Sequence, residues 1–238
     1  MKRILAIGLA ALACGMAAGS SAQPAQKSAQ KAAAQNWGAR VGALPGGSYV
    51  FGNPAAKAKL VEYLSYTCPH CAHFVEEASA TLRRDYLAKG TTSIEVRHAL
   101  RDPMDLTAAL LARCDGPGRF LGHSEAIFAA QSSWFAKGVA FHSANAERLK
   151  GLPISQTLAE YAKGTGLDAL MRGRGLAQAR IDACLADKKQ QDLLAGMAQE
   201  AWSQRKIGGT PAFLINGTLV PQTNDWAALK PKLDAAAN

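Results

Sequence analysis

The alternation of apolar and polar positions changes period several times along the 238 residues, and each change predicts an element. Lys59 to Ser65 (KLVEYLS) is a short, mostly apolar run between Asn53-Pro54 and Thr67, with the length and content of a buried strand. The spacing then turns helical. Cys71, Phe74, Val75, Ala78 and Leu82 share one face, and Glu76, Glu77, Arg83 and Arg84 fall elsewhere. Ser93 to Ala99 alternates, with Ile94, Val96 and His98 on one side and Glu95 and Arg97 on the other, which predicts a second strand.

From Asp102 to about Arg205 the helical period returns. Asp102-Pro103 opens it as an N-cap followed by proline in the first turn. Gly116, Gly118, Gly151, Pro153, Gly164, Gly166 and Gly175 are expected to divide the stretch into short helices. Ala212–Ile215 and Thr218–Val220 are apolar runs around Asn216-Gly217, a hairpin signal. Trp226, Leu229 and Leu233 then predict a short amphipathic helix, which Pro231 is expected to kink or split. The order predicts an α/β fold: residues 48–100 and 206–238 form a small α/β layer, and residues 101–205 are an all-helical insertion into it.

The N-terminus reads as an export signal over residues 1–22. Met1-Lys2-Arg3 is a positive start, Ile4 to Ala13 is apolar, and Ser20-Ser21-Ala22 offers the small residues a signal peptidase inspects, so cleavage is expected after Ala22. A membrane anchor is the competing reading, but the run is about half the ~20 residues a span requires. A lipid anchor on Cys14 is opposed by Ala11, where a lipoprotein signal usually carries Leu. Residues 23–47 are expected to be a tether, beginning with the low-complexity stretch QPAQKSAQKAAAQN. The mature chain is thus expected to be soluble and periplasmic.

Losing Lys2 and Arg3 lowers the formal charge from +9 to +7. The remaining Lys and Arg residues are scattered, which predicts a solvated surface and no nucleic-acid face. Cys14 leaves with the signal, so Cys68, Cys71, Cys114 and Cys184 remain, an even number suited to an oxidising compartment. Cys114 follows Leu106 and Leu110 on an apolar helix face, and Cys184 shares a face with Ile181. A structural disulfide between them is expected; two unpaired, buried thiols are the alternative.

The candidate chemistry is Cys68-Pro69-His70-Cys71, placed where a strand gives way to a helix. Pro69 suits the first helical position, which puts Cys68 at the N-cap. There its sulfur would face the unpaired N–H groups of His70 and Cys71 and the positive helix end, both favouring thiolate. A protonated His70 would add a positive charge beside it. Cys71, one turn deeper, is placed to attack a mixed disulfide on Cys68. Haem attachment would need His directly after the second cysteine, where Ala72 stands. A zinc site would want four ligands and a second matching pair, which the lone Cys114 and Cys184 do not supply. Gly208-Gly209-Thr210-Pro211 precedes the Ala212–Ile215 strand. Pro211 there is either an ordinary break or part of a cis bond that leaves nearby backbone groups to pair with an extended chain.

These residues resemble the DsbA family of bacterial disulfide oxidoreductases, which has a thioredoxin fold with a helical insertion. The likeness runs from about Tyr49 onward and is most specific in LVEYLSYTCPHC at 60–71 and GGTPAFLING at 208–217. It implies that Cys68 is the attacking, exposed cysteine and Cys71 the resolving one. It implies that Pro211 is cis and, with Thr210, touches substrate. Glu62 would be the family's buried acid that moves protons for the inner cysteine. The residues agree, since a Glu amid an apolar strand is costly unless it serves something; a Glu reaching solvent is the alternative. Thr210 stands where the best-known oxidases carry Val, a departure shared with isomerase-like relatives.

The resemblance implies an oxidase that passes its disulfide to reduced or unfolded exported proteins and is reoxidised by a membrane partner resembling DsbB. A disulfide isomerase or reductase is the first alternative. Family isomerases carry an N-terminal dimerisation domain for which residues 23–47 are too short and polar, so a monomer is expected. A holdase that captures unfolded chains without redox turnover is the second. No bound cofactor or metal is expected.

Overall fold

A computed structural model describes residues 36–238; the expected signal (1–22) and the tether to residue 35 lie outside the described residues. The sheet has six strands in the order β1-β2-β4-β3-β5-β6. The central strand β3 (Ala58–Leu64) pairs in parallel with β4 (Thr92–His98) and antiparallel with β5 (Ala212–Ile215). The parallel pair requires a crossover. Helix α1 (Pro69–Thr81), continued by a wider turn at Leu82–Leu87, supplies it. Cys71, Phe74 and Ala78 are its buried residues, the apolar stripe read from the sequence. The hairpin closes through Asn216 and Gly217, both at positive φ, to β6 (Thr218–Leu219).

Two strands go beyond the sequence-based expectation. Strand β2 (Tyr49–Gly52) pairs with β4, and β1 (Val41–Ala43) pairs with β2 at the sheet edge. The tether expected over 23–47 is corrected at its end, because residues 41–43 are part of the sheet. Val41-Gly42-Ala43 has no alternation to reveal it, and its order comes from the ladder with β2.

Between β4 and β5 lie α2 (Pro103–Arg113), α3 (Pro117–Ala129), α4 (Gln131–Lys150), α5 (Ile154–Thr165), α6 (Leu167–Gly173), α7 (Gln178–Ala186) and α8 (Lys188–Gln199). Asp102 caps α2, its side chain accepting from the Asp105 N–H at 2.8 Å. Gly118 and Gly164 do not break helices as expected. Gly164 sits where α5 passes α4, and a Cβ there would meet the Phe141 ring at 2.3 Å. The α7–α8 break needs no glycine, because Asp187 caps α8 by accepting from Gln190 N–H at 3.1 Å. Helix α9 (Trp226–Ala237) is likewise uninterrupted by Pro231. One lost i→i−4 bond is outweighed where Leu229 and Leu233 are fully buried.

Sheet and insertion share an apolar core that includes Leu60, Cys71, Leu110, Phe120 and Leu158. Helix α2 is its axis, with Met104, Asp105 and Thr107 to Arg113 all buried. A disulfide joins Cys114, at the end of α2, to Cys184 of α7, with the Cα atoms 5.5 Å apart. Its closure across 70 positions is worth ~4 kcal/mol at most on chain-entropy grounds. Arg113 ties the insertion to the N-terminal strands: it donates to the Gly47 carbonyl at 2.7 Å and lies over the Tyr49 ring at 4.0 Å. Among the described residues no helix is long and apolar enough to cross a membrane.

Candidate active site

Cys68 is the N-cap of α1. Its backbone is extended (φ −96°, ψ 117°) and Pro69 fills the first turn. Its carbonyl accepts from the N–H groups of Cys71 at 3.1 Å and Ala72 at 3.3 Å. Both Cys68 and Cys71 are free thiols. The exposed Cys68 that the resemblance implied is corrected: it is 3% exposed, against 0% for Cys71. The loop at the Thr210–Pro211 bond, which is cis, covers it, and the Thr210 carbonyl lies 3.1 Å from the Cys68 Sγ.

The two sulfurs differ in acidity. Cys68 is lowered to about 4, first by a hydrogen bond from the Cys71 thiol, then by the N–H groups of Cys71 and His70, against the opposing effect of burial. The Thr210 carbonyl accepts only from the protonated sulfur and so opposes ionisation; the convergent donors prevail. Cys71 is pushed well above the usual thiol range, by burial and then by its neighbour Cys68. From His70 it is the backbone N–H that meets the Cys68 sulfur, while the residue itself is exposed.

Glu62 lies on β3 between Leu60 and Leu64, whose common face packs in the same core as the buried stripe of α1. It is 5% exposed, and its Oε1 has no hydrogen-bond partner. The alternative of a solvent-reaching Glu is excluded by that burial, which pushes its pKa up to about 8.

Sequence reasoning missed the groups that hold the loop before Cys68. Asp105, fully buried on α2, accepts from Ser65 Oγ at 2.6 Å and from the Tyr66 N–H at 2.8 Å. Burial raises its carboxyl to about 7, although those donors work the other way. Gln131, at the start of α4, donates to the carbonyls of Tyr66 at 2.6 Å and Cys68 at 2.9 Å. The Arg101 guanidinium donates to the Thr67 carbonyl and, at 3.1 Å, to its hydroxyl. Asp105 left a trace in the sequence as an acid on an otherwise apolar helix face. Gln131 left none, because its partners are backbone groups 63 and 65 positions away.

An N-capping thiolate, a deeper thiol and an adjoining cis-proline loop on this sheet define a thioredoxin-fold site built for thiol chemistry. The family described as thioredoxin matches residues 45–235, and the chain belongs to it. A protein-disulfide isomerase from Novosphingobium aromaticivorans is 36% identical, with a TM-score of 0.76 over 80% of this chain and 97% of that one. Wolbachia pipientis α-DsbA1 shares the fold at 21% identity and a TM-score of 0.63, over 79% of this chain and 89% of its own. Curated proteins of Rickettsia bellii and Rickettsia typhi, provisionally named protein-disulfide oxidoreductases, are 27% and 29% identical over 75% of this chain. The matches span 59% and 57% of those relatives, less than two thirds of their length.

Proposed function

We propose that the chain is a thiol:disulfide oxidoreductase that introduces disulfides into exported proteins through Cys68 and Cys71. The observation that carries this reading is the placement of the two sulfurs, Cys68 at the N-cap of α1 beside the cis Thr210–Pro211 bond and Cys71 fully buried one turn deeper. A substrate thiolate attacks Cys68 Sγ, the Cys68–Cys71 bond breaks, and Cys71 leaves with a proton. A second substrate thiolate then attacks the substrate sulfur of the mixed disulfide and expels Cys68. The substrate gains a disulfide and the protein becomes a dithiol. A low-pKa Cys68 is a good leaving group in the second step, which favours oxidation of the substrate. Glu62, neutral below about pH 8, is the proton donor for departing Cys71 in this reading. Thr210 and Pro211 form the shelf on which the extended substrate chain lies.

We assign the protein to the periplasm, as a monomer reoxidised by a membrane partner resembling DsbB. An isomerase is the second reading, favoured by Thr210 and by the likeness to the Novosphingobium protein-disulfide isomerase. Oxidation of a reduced, unfolded substrate and reduction of insulin, run side by side, separate the two. The expected result is fast oxidation with weak insulin reduction. The reverse would replace the oxidase with the isomerase or reductase, and binding without exchange would leave a holdase.

A further inference from the structure

The chain passes from β3 to Cys68 through a turn that the helical insertion grips. The turn closes on itself through the Cys68 N–H, which donates to the Ser65 carbonyl at 3.2 Å. The first turn of α2 docks onto it. The Asp105 carboxyl is fully buried there, and its oxygens accept from Ser65 Oγ at 2.6 Å, from the Tyr66 N–H at 2.8 Å and from the Arg101 N–H at 3.2 Å. Three convergent donors suit a carboxylate. Asp105 is itself fixed, because its N–H donates to the Asp102 side chain that caps α2.

Both sulfurs depend on that turn. Ser65 is fully buried, and its backbone N–H faces the Cys71 sulfur, where it works against the burial that opposes ionisation. Cys68 needs the N–H groups of His70 and Cys71 to converge on its sulfur, and the turn sets where that sulfur stands. In the disulfide form the Cys68–Cys71 bond ties this geometry covalently. In the dithiol form only hydrogen bonds hold it. A clamp on the turn therefore stabilises the reduced state more than the oxidised one.

We propose that Asp105 is a positioning residue for the thiol pair: by holding Ser65 and Tyr66 it keeps the geometry that stabilises the dithiol and makes the disulfide more oxidising. The inference rests on the reading of Cys68 and Cys71 as the working pair. Asp105 acts through Ser65 and Tyr66 rather than on a sulfur.

The test is redox equilibration against glutathione together with stopped-flow oxidation of a reduced peptide. Asp105→Ala, Asp105→Asn and Ser65→Ala are compared with the wild type, each with its melting temperature. Asp105→Ala strips Ser65 and Tyr66 of their acceptor. It is expected to lower the equilibrium constant for oxidising glutathione about tenfold and to slow peptide oxidation to a similar degree. Asp105→Asn keeps an oxygen for the Tyr66 N–H, and its amide can donate to Ser65 Oγ, whose own hydrogen turns to Thr67 Oγ1, 3.2 Å away. It should stay within about twofold of the wild type. Ser65→Ala removes one bond with little change of buried shape and should cost about fivefold, so it decides the matter if Asp105→Ala fails to fold. Variants that melt lower but keep the wild-type equilibrium constant and rate would overturn the proposal. So would an Asp105→Asn protein as impaired as Asp105→Ala. Failure of the underlying reading shows separately, as peptide oxidation that survives Cys68→Ser.

Discussion

Cys71→Ser protein recovered from an oxidising compartment is expected to carry substrate chains disulfide-linked to Cys68, whereas Cys68→Ser loses turnover. The two sulfurs divide the reaction by position. Cys68 caps α1 beside the Thr210 carbonyl and is lowered to about 4, so it forms and leaves mixed disulfides. Cys71 is fully buried one turn deeper and can reach only a disulfide already on Cys68. A serine at 71 closes the return route through Cys71, because an alkoxide is not formed at neutral pH and does not exchange with disulfides, so the adduct persists wherever the substrate offers no second thiolate. The adduct should appear on non-reducing gels, collapse with reductant, and map to Cys68. In Cys68→Ser, oxidation of a reduced peptide should fall by at least about a hundredfold. A normal rate in that variant would reverse or dissolve the assignment.

The second large effect concerns stability. The reduced protein should melt several degrees higher than the form with Cys68 and Cys71 joined, with Cys114–Cys184 intact in both. A folded pKa of about 4, below the ordinary thiol value, stabilises the reduced fold. That contribution is full above the unfolded pKa and is lost as pH falls through about 4. At neutral pH it amounts to about 4 kcal/mol before solvent screening is allowed for. The disulfide, which closes a short ring, returns ~2 kcal/mol at most. The difference should shrink towards pH 4 and reverse below it. Paired calorimetric scans across pH check this; an oxidised form that melts higher at neutral pH would contradict it.

Much of this was legible because local rules and the fold agree. The strand–Cys–Pro–x–Cys sequence places Cys68 at a helix cap whatever surrounds it, since Pro69 fixes the first turn. The strand around Glu62 and the hairpin at Asn216-Gly217 are likewise local signals. What escaped depends on distant partners. Strand β1 exists through its ladder with β2. Asp105 and Gln131 matter through bonds to a loop far away in sequence. The burial of Cys68 follows from the Thr210 loop, 142 positions downstream. Pro231 misleads for the same reason: its local penalty is plain in the sequence, and the packing at Leu229 and Leu233 that outweighs it is not.

In this account the fold makes Cys68 a stabilised thiolate beside a reluctant Cys71. The most direct measurement is ultraviolet titration of thiolate absorbance in the reduced protein, with Cys68→Ser and the disulfide form as blanks. The expected result is one thiolate appearing with a midpoint of about 4, lost in Cys68→Ser, and a second only at strongly alkaline pH. A single transition near ~8.5, the ordinary thiol value, for both cysteines would contradict it.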